Sequence, residues 1–499
     1  MAIEHVDVLI VGAGLSGIGA AYHLQAHCPG KTYAILEARP RLGGTWDLFR
    51  YPGIRSDSDM YTLGYSFKPW VDRKAIADGP SILRYMTSVA NDNKIAQRIR
   101  YGLKVRSAAW SSAEAAWTVE AEKAETGETV RLRCNFLYGC SGYYNYDEGY
   151  TPDFPGRERF QGRFVHPQHW PEDLDYAGKK VVIIGSGATA VTLVPEMAKT
   201  AGHVTMLQRS PTYVISRPGE DKLANWMNKW LPLKLAYGIT RWKNVILGMI
   251  FFQLSRRRPE KVKSKIIELL KKQLGPGFDV AKHFTPSYNP WDQRVCLVPD
   301  GDMFKMLRAG KASVATDHIE TFTETSIKLK SGEELEADII VSATGLKLLF
   351  LGGMTLSVDG KPVNQAETYN YRGMMYSDVP NLVTAFGYTN ASWTLKADLT
   401  AERVCRTLNY MDRHGYKQCT PRMNDPEVKP EPFIDFSSGY VQRALADFPK
   451  QGSKRPWKLY QNYFLDILGL RFGRIDDGVM EFAKPRASAA TTPEARQAA

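Results

Sequence analysis

The chain has 499 residues, of which 43% are hydrophobic and 24% are charged, a balance typical of globular proteins and unlike that of disordered or fibrous chains. At roughly one domain per 150 residues, this length predicts about three domains. The six cysteines include no CxxC pair and no metal-ligand spacing, so we expect neither a disulfide framework nor a metal site.

Charge and the N-terminal sequence suggest a compartment. Glu4 and Asp7 stand where a secretory signal would be basic, so we predict no signal and a cytoplasmic protein with free thiols. The net charge of +12 would attract anionic cofactors, although ordinary surface charge explains it equally well. No segment is typical of a nucleic-acid-binding module, and we expect no nucleic-acid partner.

A glycine-rich turn follows the first predicted strand. The strand Val6–Val11 leads into the sequence GAGLSG, followed by a predicted helix. In this turn Gly12 suits the tight bend, Gly14 lets backbone N–H groups approach a pyrophosphate, and Gly17 allows close packing of helix and strand. The next strand ends at Glu37, where an acid would accept ribose hydroxyls. We therefore predict a Rossmann-like site for FAD.

Alternating apolar and polar residues follow near 103–110, 117–122 and 129–137. This pattern predicts a β-meander inserted in the FAD domain.

The same nucleotide-binding unit then recurs. A strand leads into the sequence GSGATA, which contains Gly185, Gly187 and Thr189, and the following strand ends before Arg209 and Ser210 rather than at an acid. An acid would repel a 2′-phosphate, whereas an arginine pairs with one. We predict an NADPH site with Arg209 and Ser210 as phosphate ligands. The alternative for Arg209 is a solvated surface arginine.

The segment 216–289 is rich in helix formers, Trp and Lys, and predicts a helical insertion in the NADPH domain. The fold class is therefore α/β, with two Rossmann-like dinucleotide-binding domains, a β-meander and a helical insertion. The predicted ranges are 1–150 and 346–485 for the FAD domain, 151–215 and 290–345 for the NADPH domain, 216–289 for the insertion, and 486–499 for a disordered tail.

One apolar run, VILGMIFF at 245–252, precedes a cluster of basic residues. A membrane-spanning helix needs about 20 apolar residues, so this run is too short to cross a bilayer. We expect a buried core helix. The alternative is an interfacial helix, with weak association of 245–265 with a membrane surface.

Three further strings accompany the two glycine turns. Residues 43–57 fit GGxWxxxxYPGxxxD, residues 160–171 fit FxGxxxHxxxWP, and residues 338–345 fit DxxxxATG. With the glycine turns, these motifs resemble those of the type I Baeyer–Villiger monooxygenases in the class B flavin monooxygenase superfamily, from residue 6 to about residue 400. The segment 288–302 is similar to the branch containing the ethionamide-activating monooxygenase.

The resemblance implies a chemistry. In this family NADPH reduces FAD, and the reduced flavin traps dioxygen as a C4a-peroxide that converts ketones to esters or lactones, with sulfides as side substrates. It implies that Arg294 is the cation that stabilises the peroxide and the adduct, and that Asp57 pairs with it. A purely structural ion pair is the alternative.

Further roles follow from the same motifs. By resemblance we expect the motif residues to contact the cofactors, namely Gly44, Thr45, Trp46, Asp57, Arg294, Ala343, Thr344 and Gly345. His166 is expected to tune domain motion, although a satisfied interdomain histidine is the alternative. Gly162 is expected to adopt a backbone shape closed to other residues, and Trp170 to pack rather than react.

One position departs from the better-known members of the family. They carry a lysine immediately before the catalytic arginine, where it helps to hold the 2′-phosphate, and this chain has Gln293. NADPH preference then depends more on Arg209, so we predict measurable use of NADH.

Three other functions share part of this pattern. A flavin N- or S-oxygenase has both nucleotide turns, but Trp170 followed by proline favours the Baeyer–Villiger branch. A disulfide reductase of the thioredoxin-reductase type would need a CxxC pair. A dinucleotide sensor without catalysis would not need to keep both Asp57 and Arg294.

Overall fold

The computed structural model describes residues 3–484. The predicted tail 486–499 lies outside the described residues. The architecture is α/β, as the sequence predicted, with two sheets that each contain a parallel nucleotide-binding core.

The first sheet has nine strands and a parallel centre. Glu4–Val11 lies between Tyr33–Leu36 and Thr129–Gly139 and runs parallel to both. The predicted meander is confirmed, because Leu103–Ser111, Ala116–Lys123 and Thr129–Gly139 pair antiparallel in that order. The meander is thereby continuous with the parallel core.

The second sheet has five strands, all parallel. Their order across the sheet is Ala312–Thr316, His203–Gln208, Lys180–Ile184, Ile339–Ser342 and Arg163–Val165. The three central strands are mostly buried, as expected for a parallel sheet covered on both faces.

A two-stranded ribbon connects the two sheets. Tyr144–Gly149, which follows the first sheet, pairs antiparallel with Leu346–Leu348, which follows the second. The chain therefore crosses between the nucleotide-binding units twice, and the two crossings are hydrogen-bonded to each other.

The remaining elements complete both units. The helices are Leu15–His27, Thr45–Leu48, Met60–Leu63, Gly79–Asp92, Ala188–Met197, Lys222–Trp230, Leu233–Arg257, Pro259–Leu274, Val280–Phe284, Asp302–Arg308, Trp393–His414, Gly439–Gln442 and Tyr463–Asp466, followed by a π-helical turn at Ile467–Phe472. The other strands are Ile99–Arg100, Val214–Arg217, Cys296–Pro299, Ile319–Phe322, Ser326–Leu329, Glu334–Glu336, Thr355–Val358, Lys361–Pro362, Asn370–Tyr371, Met375–Tyr376, Leu382–Thr384, Gln418–Pro421, Pro430–Pro432, Lys450–Gly452 and Met480–Ala483.

The apolar run 245–252 lies in the helix Leu233–Arg257, hereafter the long helix. The expectation of a buried core helix is wrong for its outer face, where Ile246, Leu247 and Ile250 are 42–51% exposed. Periodicity could not show this, because the run is apolar on both sides of the helix. Among residues 3–484, no helix is long and apolar enough to cross a membrane.

Candidate functional site

The first glycine turn has the shape that its sequence requires. Gly12 has φ +107°, and a Cβ there would lie 2.6 Å from the carbonyl oxygen of Cys140. A Cβ at Gly17 would lie 1.9 Å from the carbonyl oxygen of Gly12, whereas the nearest atom to one at Gly14 is 3.7 Å away. The close approaches hold strand and helix together, and Gly14 leaves room for a ligand.

The helix Leu15–His27 begins at this turn, and no side chain of the described residues caps its first N–H groups. Uncapped N–H groups at a helix N-terminus favour an anion. The turn therefore offers both space and hydrogen-bond donors to a pyrophosphate.

Glu37 has backbone partners that the sequence did not reveal. Its buried carboxylate accepts hydrogen bonds from the N–H of Ala13 at 2.7 Å and of Arg39 at 2.9 Å. Burial raises the pKa of Glu37 above its usual value, although these hydrogen bonds oppose the shift. Each carboxylate oxygen keeps a second lone pair, so Glu37 can brace the turn and still accept a ribose hydroxyl.

The GGTW string lies against the same turn. A Cβ at Gly44 would lie 3.2 Å from the Cα of Gly14, and the hydroxyl of Thr45 lies 3.4 Å from that of Tyr146. Trp46 is partly buried and packs against the core of the first unit. These residues form one wall beside the space above Gly14.

Asp47, the next residue, was missed by the sequence analysis. Its carboxylate is 1% exposed and accepts hydrogen bonds from Arg39 at 2.6 Å, Arg41 at 2.9 Å and Arg50 at 3.1 Å. Burial raises the pKa of Asp47, but hydrogen bonds from Arg39 and Arg41 outweigh it and leave the pKa below its usual value. The sequence signal that could have indicated this cluster is the presence of three arginines near a single aspartate in residues 39–50.

The second glycine turn repeats this geometry. Gly185 has φ +133°, and a Cβ there would lie 2.3 Å from the carbonyl oxygen of Ala343. Gly187 is exposed, and apart from its neighbours along the chain none of the described residues has an atom within 4 Å of the position its Cβ would take. The helix Ala188–Met197, which contains Thr189, starts here without a side-chain cap from the described part of the chain. This turn also fits a phosphate group.

Arg209 and Ser210 lie beside that turn. They directly follow the strand His203–Gln208, and both are exposed. The hydroxyl of Ser186 lies 3.4 Å from the carbonyl oxygen of Ser210 and 2.7 Å from the hydroxyl of Thr212. The structure therefore places Ser210 next to Ser186 of this turn, with Arg209 directly before it in the chain.

The ATG string joins the second turn to the ribbon between the sheets. The carbonyl of Ala343 touches Gly185, and the hydroxyl of Thr344 donates to the carbonyl of Tyr150 at 2.7 Å. Gly345 follows and leads into the ribbon strand. Movement of one unit relative to the other would change the contacts of these residues.

His166 lies at the same crossing. Its Nε2 is 3.3 Å from the carbonyl oxygen of Gly345, and its Nδ1 accepts from the N–H of Gln168 at 3.2 Å. A Cβ at Gly149 would lie 2.0 Å from the imidazole ring, so the ring packs directly on ribbon backbone. Burial lowers the pKa of His166 below its usual value.

Two other residues of the FxGxxxHxxxWP string are structural neighbours of this crossing. Gly162 does not have a positive φ, so the expected special backbone shape is wrong. Instead a Cβ there would lie 2.4 Å from the carbonyl oxygen of Asp338 and 2.5 Å from the ring of Phe160, and lack of space excludes other residues. Trp170 packs against the core of the second unit, as expected.

The two residues assigned to catalysis are brought together. Arg294 Nη2 lies 2.8 Å from Asp57 Oδ2, and each side chain is 33% exposed. The charge of Asp57 raises the pKa of Arg294 above its usual value, against the opposing effect of burial. The guanidinium is thus a fixed cation that stays protonated.

Aromatic side chains connect this pair to the first glycine turn. The hydroxyls of Tyr143 and Tyr144 lie 3.0 Å apart, and burial raises the pKa of Tyr144 to about 12. Tyr143 stacks on Trp393 with 5.3 Å between ring centroids. The indole N–H of Trp393 donates to the hydroxyl of Ser16 at 2.8 Å. Trp393 therefore contacts both Tyr143 and the first glycine turn.

A cleft opens to solvent beside Asp57 and Arg294. Its other walls include Met249 and Phe252 of the long helix and Trp291. The indole N–H of Trp291 is buried and has no hydrogen-bond partner among the described residues. The cleft thus combines an apolar wall from the long helix with the ion pair and with further polar residues, among them Asp59, Arg217 and Asn244. The sequence alone did not place the long helix in it.

Comparison with known families identifies two matching domain models. A flavin-binding monooxygenase-like model matches residues 76–352. An NAD(P)-binding Rossmann-like domain model matches residues 10–71, which include the first glycine turn.

Several curated proteins are similar over nearly the whole chain. The chain is 56% identical to the FAD-containing monooxygenase EthA of Mycobacterium tuberculosis, over 96% of this chain and 98% of that protein. It is 54% identical to EthA of Mycolicibacterium smegmatis, over 97% and 98%. It is 51% identical to the probable FAD-binding monooxygenase AlmA of Acinetobacter baylyi, over 96% and 97%.

Solved structures share the fold at lower sequence identity. A steroid monooxygenase bound to NADP superposes with a TM-score of 0.76 at 21% identity, over 96% of this chain and 100% of that one. An open form of cyclohexanone monooxygenase superposes with a TM-score of 0.75 at 19% identity, over 96% and 100%.

Proposed function

The chain belongs to the flavin-binding monooxygenase-like family, and from this premise we propose that it is an FAD- and NADPH-dependent Baeyer–Villiger monooxygenase. It inserts one oxygen atom of dioxygen next to a ketone carbonyl and forms an ester or lactone. The observation that carries this proposal is the Arg294–Asp57 ion pair at 2.8 Å, facing a cleft with apolar walls.

The two glycine turns fit the two cofactors. We assign FAD to the turn containing Gly12, because that turn has space at Gly14 and the buried acid Glu37. We assign NADPH to the turn containing Gly187, beside the exposed Arg209. The relatives named FAD-containing monooxygenases and the NADP bound to the steroid monooxygenase support these assignments. The domain boundaries predicted from the sequence remain part of this proposal.

When bound, FAD reduced by NADPH supplies the activation of dioxygen, and the chain supplies binding and electrostatics. Arg294 presents a permanent cation to the cleft and stabilises negative charge that develops on the reacting oxygen atoms. An arginine suits this role because it does not give up a proton near neutral pH. Asp57 fixes the pose of the guanidinium through a charge-assisted hydrogen bond.

The position of the substrate depends on the side chains that line the cleft. Met249 and Phe252 provide apolar surface for the substrate. Tyr143 stacks on Trp393, whose indole N–H donates to Ser16 of the first glycine turn. We also propose sulfoxidation as a side activity, because apolar walls of this kind do not distinguish a sulfide from a ketone.

The Arg294→Ala variant tests the proposal. We expect it to retain FAD and to be reduced by NADPH, because Arg294 is not a residue of either glycine turn. We expect ester formation to fall by about 100- to 1000-fold, the cost of removing one oxyanion-stabilising group. Arg294→Lys keeps the charge but not the planar guanidinium, so its rate of ester formation should lie between those of the wild type and Arg294→Ala. Full ester yield from Arg294→Ala would contradict the proposal.

A further inference from the structure

The outer surface of the helical insertion exposes an unusual number of large apolar side chains. Among residues 3–484, nineteen large hydrophobic side chains are exposed, and eleven of them lie between Leu223 and Leu254. Trp226 is 58% exposed and Trp230 is 74% exposed. Monomeric proteins seldom expose apolar patches of this kind unless the patch binds something.

These side chains form one continuous face. In the long helix the exposed positions Leu235, Ile239, Ile246, Ile250 and Leu254 recur at intervals of four or seven residues, which are one and two helical turns, so they share one side of the helix. Further along the face, Trp242 stacks on the exposed Phe464 with 5.8 Å between ring centroids. We call this face, together with the exposed side chains of Lys222–Trp230, the apolar platform.

The opposite side of the long helix has a different role. Val245, Met249 and Phe252 line the cleft beside Arg294. The helix is therefore apolar on both sides, and packing against the rest of the chain explains only the inner side. The outer side is left without a protein partner among the described residues.

Charge identifies what would cover the platform. Residues 222–258 contain eight lysines and arginines and no aspartate or glutamate. Lys229, Lys234 and Arg257 are exposed on the helices that carry the platform. Two copies of this chain would bring two basic faces together and repel each other, whereas an anionic lipid surface complements them. Tryptophans beside basic residues are also typical of helices that lie in a membrane interface.

We propose that the apolar platform docks on an anionic lipid bilayer, with the long helix lying in the interface plane and not crossing it. The apolar side chains enter the boundary between headgroups and acyl chains, while Lys229, Lys234 and Arg257 contact lipid phosphates. Docking leaves one helix between the bilayer and the cleft. The docking does not depend on the proposed oxygenation, so either proposal can fail without the other.

Sedimentation with vesicles tests the docking directly. The full-length, FAD-loaded protein is mixed with vesicles of phosphatidylcholine alone or of equimolar phosphatidylcholine and phosphatidylglycerol, and the bound fraction is measured. We expect binding to the anionic vesicles, weakened by added salt, and little binding to the neutral ones. Trp226→Ser combined with Trp230→Ser should lower the partition coefficient at least tenfold, about the effect of withdrawing two large side chains from the interface.

Charge variants separate electrostatic from apolar binding. Lys229→Glu combined with Arg257→Glu should lower the partition coefficient by about fivefold or more for each reversed charge. The matched control, Lys361→Glu combined with Lys417→Glu, changes the net charge equally at exposed sites on other elements and should bind nearly as the wild type does. All these variants should keep their FAD, because the substituted side chains are exposed.

Three results would overturn the proposal. The first is absence of wild-type binding to the anionic vesicles. The second is undiminished binding by both platform variants. The third is a concentration-dependent dimer that is lost in the tryptophan variant while no vesicle binding occurs, since this would assign the platform to a second copy of the chain.

Discussion

Removing Asp57 should uncouple flavin reduction from ester formation. In Asp57→Ala the hydrogen bond from Arg294 Nη2, 2.8 Å long, is lost, and the guanidinium can leave its pose. A charge-assisted hydrogen bond contributes about 1.5–3 kcal/mol. Since both side chains are one-third exposed, the lower end applies, and the ester-forming pose should be populated about 10- to 30-fold less often.

The assay measures two steps separately. Ester formation is followed by product analysis at saturating NADPH, and flavin reduction is followed anaerobically from the loss of flavin absorbance. We expect only ester formation to fall. Asp57→Asn is the matched control, because its amide oxygen still accepts a hydrogen bond and should preserve part of the rate. Asp57→Ala that formed ester at the wild-type rate would refute the positioning role.

Three further variants test the cofactor sites and the core. Gly17→Ala should abolish FAD content, because the added Cβ would lie 1.9 Å from the carbonyl oxygen of Gly12. Gly14→Ala should fold and lose only part of its FAD, because the nearest atom to its Cβ outside the neighbouring residues lies 3.7 Å away. The flavin absorbance of each purified protein measures its FAD content. Arg209→Ala should raise the KM for NADPH about 10- to 100-fold and leave that for NADH nearly unchanged; an equal or greater loss with NADH would contradict the phosphate assignment. Asp47→Asn should lower the free energy of unfolding by about 2–4 kcal/mol. The folded-state pKa of Asp47 is lowered, so its carboxylate adds fully to the free energy of unfolding above about pH 4, and this stabilisation is lost as the pH falls further. If the free energy of unfolding of Asp47→Asn kept the wild-type dependence on acid pH, this role of Asp47 would be excluded.

Local rules predicted the nucleotide-binding units well. Strand, glycine turn, helix and second strand each have a short-range sequence signal, and the positions of Gly12, Gly17 and Gly185 follow from close contacts with backbone. The meander was equally accessible, because its strands are neighbours in the sequence and in the sheet. In these regions local propensity and tertiary structure agree.

Contacts between distant segments were not accessible in the same way. The long helix carries apolar residues on both sides, so periodicity could not reveal that one side lines the cleft and the other faces outward. Gly162 has an ordinary φ, and its constraint comes from Asp338, far away in the sequence. The backbone partners of Glu37 and the arginines around Asp47 depend on how loops fold back, which spacing does not encode.

The pairing of Asp57 with Arg294 lies between these cases. Composition and periodicity do not predict this pairing, and only the family resemblance indicated it. The structure confirms that they meet at 2.8 Å, while their catalytic roles remain a proposal.

The most direct test of the central claim is product analysis of the wild-type enzyme supplied with NADPH, a ketone and dioxygen labelled with the heavy oxygen isotope. The account predicts an ester or lactone that contains one labelled oxygen atom, with one NADPH consumed for each molecule of product. NADPH consumption that yields only hydrogen peroxide, or oxidation of a sulfide without any ester from ketones of varied size, would contradict it.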